Sequence, residues 1–383
     1  MPTGIRTTYT DTGVQPRSVS EMLTMIDPTE APLLTRLGVN NETRFRLDVW
    51  PRTKYEWLED SMSPRDSTLT ADINNSVTSI AVADGSVFKE GDIVEIDSEL
   101  IYVSEVTGNT LSVVVRGFGG TSAASHTNTT TVSLATIARL EAADYDTGHT
   151  TTATTMYNYT QIIAEAVKVS GSEAVDEKYG IDDTMAYHLA KLMGGSDGVG
   201  SKFKAGKLPI LLERTFYKGR RSAGSSSASR AMGGFKQFVT TNVVDLAGAA
   251  ITRKHIEDLY TQCYVAGGDP DLLICGAHVR RKISSFYEGL ITTTRTDTTG
   301  GSRIDTVQTD FGTMEIMFHR WCPPDEVYII EPAKMGWLTY RPFAVYDRPT
   351  NGDYAVKEIL GEYGFALMNE KAHGYLKGVS TTK

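Results

Sequence analysis

The sequence predicts an α+β chain built from more than one compact unit, on three observations. Four short apolar runs crowd between Leu69 and Thr136, separated by turn signals. Two later stretches repeat apolar residues at helical spacing: Met185, Leu189, Leu192 and Met193, then Ile256, Leu259, Tyr260 and Cys263. The last fifth returns to short strands joined by tight turns, across Asp310–Trp321, Tyr340–Val345 and Gly361–Gly374. At 383 residues the chain exceeds one ordinary core, so two or three units are expected.

In chain order, residues 1 to about 38 are threonine-rich. Their one short helical stretch, Ser20–Ile26, is capped by Ser20 and stopped by Asp27-Pro28. So little apolar surface cannot fold alone, and the segment reads as an arm that packs on something else. Asn41–Asp60 alternates apolar and polar residues (Phe45, Leu47, Val49, then Tyr55 and Trp57), the pattern of a two-stranded extended element. From Leu69 come the runs Val77–Val82, Ile93–Ile96, Leu100–Val106 and Leu111–Val115. Turn signals sit at Asp84-Gly85, Glu90-Gly91-Asp92 and Gly108-Asn109. That spacing argues for a small β-barrel or sandwich.

The chain resumes in strands at Thr154–Ile163 and Ile162–Ser172. A helix is expected from Asp182-Asp183, whose charges suit a helix N-terminus. Gly194–Gly200 interrupts it, and Leu208–Tyr217 resumes it with Pro209 tolerable in a first turn. One kinked helix and two separate pieces both fit. Gly219–Gly234 is Gly/Ser-rich and basic, a mobile linker by composition. Thr252–Cys263 is an amphipathic helix ending at Gly267-Gly268-Asp269-Pro270. Leu272–Cys275 is a short buried strand, and His278–Tyr287 a further helix.

The net charge of −9 is unevenly spread. Eight acids against Lys89 and Arg116 give −6 over Leu69–Thr136, and nine bases against Glu213 give +8 over Ser201–Lys236. The bases are Lys202, Lys204, Lys207, Arg214, Lys218, Arg220, Arg221, Arg230 and Lys236. Such a segment is either a solvated face or the contact for an acidic neighbouring subunit or DNA. Three cysteines (Cys263, Cys275, Cys322) without C-x-x-C spacing argue against a disulfide framework or a thiolate zinc site, and fit a reducing compartment. The polar N-terminus lacks the apolar region of a signal peptide, and no apolar run approaches the roughly 20 residues that span a bilayer. Synthesis and folding in the cytoplasm, with no membrane partner, are expected.

Two motifs mimic chemistry. Gly194-Gly-Ser-Asp-Gly198 satisfies the G-x-S-x-G pattern, but an elbow needs a strand before the serine and a helix after it. Gly195–Lys202 approximates a phosphate loop with Ser201 and Lys202 in the wrong order. The seven histidines include no H-E-x-x-H and no pair at i, i+4.

Taken in order, these segments resemble the major capsid proteins of tailed double-stranded DNA bacteriophages, with the Hong Kong 97-type capsid fold. Among the closest local matches is Gly267-Gly-Asp-Pro-Asp-Leu-Leu-Ile274, supported by the strand Ile162–Ser172, the return strand Thr154–Ile163 and the C-terminal strand series. The resemblance implies an N-terminal arm (1–40) and an extended loop (41–68 and 137–160) carrying an inserted small all-β domain (69–136). It implies a peripheral domain with a spine helix (161–238 and 341–383) and an axial domain (239–340). It further implies a non-enzymatic protein with no catalytic residue, cofactor or metal. Copies assemble in the host cytoplasm as pentamers and hexamers of an icosahedral shell, the virion capsid. Portal, scaffolding and decoration proteins are the expected partners, with packaged double-stranded DNA touched non-specifically at the inner face. A covalent variant would join Lys54 to Asn369 of a neighbour. The alternatives are another virion structural protein, such as a decoration or tail component, and a hydrolase using Ser196.

Overall fold

The computed structural model describes residues 31–37, 52–139 except Val113, 141, 150–178, 181, 183–196, 203–286, 306–309 and 312–381. The expected helix at Ser20–Ile26 and the alternation at Phe45–Val49 lie outside them. The chain divides into two compact units, one of residues 1–57 with 156–383 and one of Leu58–Thr155. It passes from one to the other through the paired strands Lys54–Glu59 and Thr154–Tyr159.

In the larger unit, a three-stranded antiparallel sheet places Tyr354–Leu367 between Gln161–Ser170 and Met335–Arg348. The alternation in the first of these is physical: Ile163 and Val169 turn inward while Ile162 is half exposed. The ladder to Met335–Arg348 slips around Pro342, which has no N–H to give it. Packed with this sheet are two helices, Thr184–Met193 and Lys207–Lys218. Asp183 caps the first by accepting from the N–H groups of Met185 (2.8 Å) and Ala186 (3.2 Å). It ends at Gly194, whose φ of +86° favours glycine. A hairpin, Gly194–Ser196 with Phe203–Ala205, follows before the second helix starts with Pro209 in its first turn. The spine is therefore two helices, not one kinked helix.

Gly219–Gly234 departs from expectation more sharply. Ser222 and Ala231 exchange both backbone hydrogen bonds (3.0 and 3.1 Å), and Gly234 N–H donates to Gly219 O at 3.2 Å. A Cβ on Gly234 would lie 2.3 Å from the Thr215 carbonyl oxygen. The glycines serve close approach to a helix end, and the segment is a closed hairpin-like turn, not a spacer.

A six-stranded mixed sheet completes the unit, in the order Val243–Asp245, Gly374–Lys377, Val327–Ile330, Leu272–Cys275, Thr313–Phe318, Thr306–Gln308. Leu272–Cys275 is buried throughout, as its apolar run requires. The helix Arg253–Val265 starts with a reciprocal box between Thr252 and His255 and buries Ile256, Leu259, Tyr260 and Cys263. The helix Ala277–Phe286 buries Val279 and Ile283. A boundary at 341 separates Gly374–Lys377 from residues 239–340, yet that strand sits between two of their strands and Leu376 fills their core. The other core is aromatic: Phe216 meets Tyr217, Phe235, Tyr328 and Phe365 at ring distances of 4.9–5.9 Å.

The described elements of the smaller unit are strands and 3-10 turns. One sheet runs Asp66–Thr68, Thr131–Ile137, Asp92–Ile96, Glu99–Tyr102, and a second runs Ile80–Ala81, Thr110–Ser112, Glu105–Thr107. Its own core includes Leu69, Ile80, Phe88, Val94, Ile101, Leu111 and Val132. Gly108, with φ +61°, turns the Glu105–Thr107 hairpin where Gly108-Asn109 signals it. Leu100–Val106 forms two strands, not one, and the strands Asp66–Thr68 and Thr131–Ile137 reach past the 69–136 limits.

Candidate assembly surface

The basic segment is only partly bare. Lys207 donates to Glu165 at 2.6 Å. The Arg221 guanidinium lies 3.9 Å from the Tyr157 ring centroid and donates to the Tyr157 carbonyl at 2.7 Å. Arg230 donates to the Thr160 carbonyl at 2.7 Å and pairs with Glu362, while Lys236 pairs with Glu326. Nine bases against Glu213 is thus a sequence-local count. Glu165, Glu326 and Glu362, remote in sequence, neutralise three of them, and the Tyr157 ring receives a fourth. Lys202 lies outside the described residues, and Lys204 is in the Phe203–Ala205 strand. Arg214, Lys218 and Arg220 remain exposed, without a partner among the described residues. Arg214 and Lys218 stand one turn apart on the helix Lys207–Lys218, in a row with the partly exposed Leu211.

Beneath this surface, buried carboxylates tie distant segments together. Glu362, 2% exposed, accepts from Thr160 Oγ1 (2.5 Å), from Arg341 Nε and Nη2 (3.0 and 2.8 Å) and from Arg230. It joins the three-stranded sheet to the 219–234 turn. Glu213, fully buried, faces His319 Nε2 at 2.8 Å and accepts the Leu34 backbone N–H at 2.9 Å. The other ring nitrogen of His319 is 2.6 Å from Tyr217 Oη. This cluster anchors the short helix Pro32–Leu37, which also buries Leu33 and sets Arg36 against Glu315. His373 is buried as well. The Glu331 N–H meets its Nδ1 at 3.2 Å and its Nε2 meets the Met368 carbonyl at 3.3 Å. Burial holds its pKa down at about 4, so the ring is neutral.

The smaller unit has its own ionic centre. Glu99 accepts from Arg116 Nε and Nη2 (2.6 and 2.7 Å) and from the backbone N–H groups of Gly117 and Ala124 (3.1 and 3.0 Å). It also faces His126 Nε2 at 3.0 Å, while His126 Nδ1 faces Asp97 at 2.7 Å. Burial alone would raise the pKa of Glu99. The bonds from Arg116, Ala124, His126 and Gly117 outweigh that and hold it at about 2. Leu58–Thr155 contains fourteen acids and four bases, a charge of −10, which leaves +1 for the rest of the chain.

None of this geometry assembles an active site. Gly194–Ser196 is a hairpin strand pairing Ser196 with Phe203, not a strand-to-helix elbow. Among the described residues no group of three or more His, Cys, Asp or Glu side chains is arranged to hold a metal. The three cysteines are buried and free, and burial pushes Cys263 and Cys275 up to about 12, the unreactive thiol. No described helix is long and apolar enough to cross a membrane.

The family model described as SU10 major capsid protein matches residues 2–380. The chain belongs to that family. A major capsid protein is structural, not an enzyme, and the chain is a self-associating component of the virion capsid. No curated protein matches. Among solved structures, that described as "Microbacterium phage Oxtober96" is similar at 8% identity and a TM-score of 0.50, over 97% of this chain and 98% of that one. The capsid of a native GTA particle is similar at 10% identity and a TM-score of 0.50, over 97% of each chain. At such identities the likeness establishes the fold alone, and it is the Hong Kong 97-type capsid fold.

Within this capsid protein, Lys54 pairs with Glu56 and lies 4.5 Å from the Tyr157 ring centroid, while Asn369 is exposed. Sequence reasoning missed the carboxylate centres Glu99, Glu213 and Glu362, whose partners stand 17 to 202 residues away. An acid inside a strongly apolar or alternating run, such as Glu213 in Ile210–Tyr217, was the signal available.

Proposed function

We propose that copies of this capsid protein assemble in the host cytoplasm as pentamers and hexamers of an icosahedral shell enclosing double-stranded DNA. Portal, scaffolding or decoration proteins act as further partners. The observation that carries the reading is the match to a major capsid family along almost the whole chain, on a fold with two separate cores in its larger unit. The acidic Leu58–Thr155 unit is read as the β insertion, facing outward, because packaged DNA repels a −10 charge at short range. Arg214, Lys218 and Arg220, exposed and without a partner among the described residues, meet an acidic neighbouring subunit or the genome. A compact protein gains nothing from leaving them in mutual repulsion.

Sedimentation velocity of the purified protein should show discrete capsomers and larger particles, and a stable monomer at all concentrations refutes the reading. Arg214→Glu with Arg220→Glu separates the contacts. Loss of empty shells with folded monomers marks a neighbouring subunit, whereas normal empty shells with unstable filled ones mark DNA. Assembly and packaging like the parent would make these cations a solvated face.

A further inference from the structure

We propose that Asn351 is a site of spontaneous covalent modification, converting to aspartate and isoaspartate in the folded protein. Asn351-Gly352 is the chain's one Asn-Gly dipeptide. It lies at the exposed tip, Pro349–Asp353, between the 14-residue strands Met335–Arg348 and Tyr354–Leu367. Neither the Asn351 amide nor the Gly352 N–H has a partner among the described residues, and Gly352 uses only its carbonyl, accepting the Tyr354 N–H at 2.8 Å. Glycine leaves that nitrogen unshielded by a Cβ.

The reaction needs only water. The Gly352 nitrogen loses its proton to hydroxide and attacks Asn351 Cγ. The Cγ–Nδ2 bond breaks, ammonia leaves, and a five-membered succinimide closes. Water then opens the ring at one of two carbonyls. Opening at Cγ gives aspartate, and opening at the main-chain carbonyl gives isoaspartate, with the backbone routed through the side chain. Either product puts a new carboxylate at a tip that already holds Asp353 and follows a strand bearing the exposed Asp347, once per copy.

The same fold protects the comparable Asp84-Gly85. There the Gly85 N–H donates to Asn109 Oδ1 at 3.1 Å, and Asp84 Oδ1 accepts from Ser86 N and Oγ at 3.0 and 2.6 Å. The nucleophile and the electrophile are both held. Asn109, a turn asparagine of the smaller unit, spends its amide on Gly85 and on the Ala83 carbonyl, 3.1 Å away.

Peptide mass spectrometry of the folded full chain, aged in mildly alkaline buffer, should show first-order gain of about 1 Da at Asn351. Isoaspartate-specific methylation should label the same peptide, while Asn109 stays unchanged. Gly352→Ala should slow the gain roughly tenfold or more, because a Cβ shields the nitrogen. A Cβ there would also approach the Tyr354 ring at 2.8 Å, so Asn351→Gln, which keeps the glycine and needs a larger ring, serves as the second variant. It should hold its amide over the same period. A rate at Asn351 no faster than at Asn109, no change in either variant, or modification only after unfolding in urea overturns the proposal.

Discussion

Replacing Arg116 by methionine tests whether the Glu99 centre holds the smaller unit together. The Glu99 and Arg116 side chains are 1% and 7% exposed, so the substitution removes two charge-assisted bonds to Glu99, together with the guanidinium's bonds to the Asn74, Val77 and Ala124 carbonyls, and strands a carboxylate among apolar strands. Breaking a buried pair from one side costs about 3–5 kcal/mol. The depressed pKa gives a consistent scale: lowering Glu99 from 4.5 to about 2 corresponds to about 3 kcal/mol. Hydrogen exchange at the amides of Asp92–Ile96 and Glu99–Tyr102 reads the loss directly. It should accelerate about a hundredfold to a few thousandfold while exchange in Leu272–Cys275 is unchanged. The sign of the pH dependence follows from the depressed pKa. In the parent, the Glu99 contribution is complete above about 4.5 and disappears as the pH falls toward 2, and in Arg116→Met that acid loss should largely vanish. Exchange within about fivefold of the parent, a change below about 1 kcal/mol, refutes the reasoning.

His373, held at about 4 by burial, makes the larger unit lose stability in a milder window. Its unfolded form takes up a proton below 6.5 and its folded form only near 4, so denaturant midpoints should fall between those values, and His373→Gln should flatten the fall. Gly234→Ala should cost about 1–3 kcal/mol or more in urea unfolding, since its Cβ meets the Thr215 carbonyl, whereas Gly276→Ala, whose Cβ would have no neighbour nearer than 3.5 Å, should cost less. Replacing Leu58–Thr155 by a short linker should leave the larger unit folded by circular dichroism, because the flanking strands already pair and each unit has its own core. An insoluble product would show that the smaller unit is integral.

Much of the fold was legible where local chemistry and tertiary structure agree. The Asp183 cap, the Thr252–Cys263 face and the Leu272–Cys275 strand are each dictated by residues within one or two turns. Gly219–Gly234 misled because composition reports a chain's freedom, while the close approach of Gly219 and Gly234 to the Thr215 carbonyl is a tertiary requirement. Asp66–Thr68 was too short to display a period, and only its partner Thr131–Ile137 makes it a strand. The charge map failed similarly: counting within a window cannot see Glu362 beneath Arg230 or Glu326 beside Lys236.

Cryo-electron microscopy of the protein expressed alone or together with the other proteins of its virion tests the central claim most directly. The account predicts closed icosahedral shells of this one chain, with density for Leu58–Thr155 on the outer surface. Tubes, or small oligomers that never close under either condition, would contradict it.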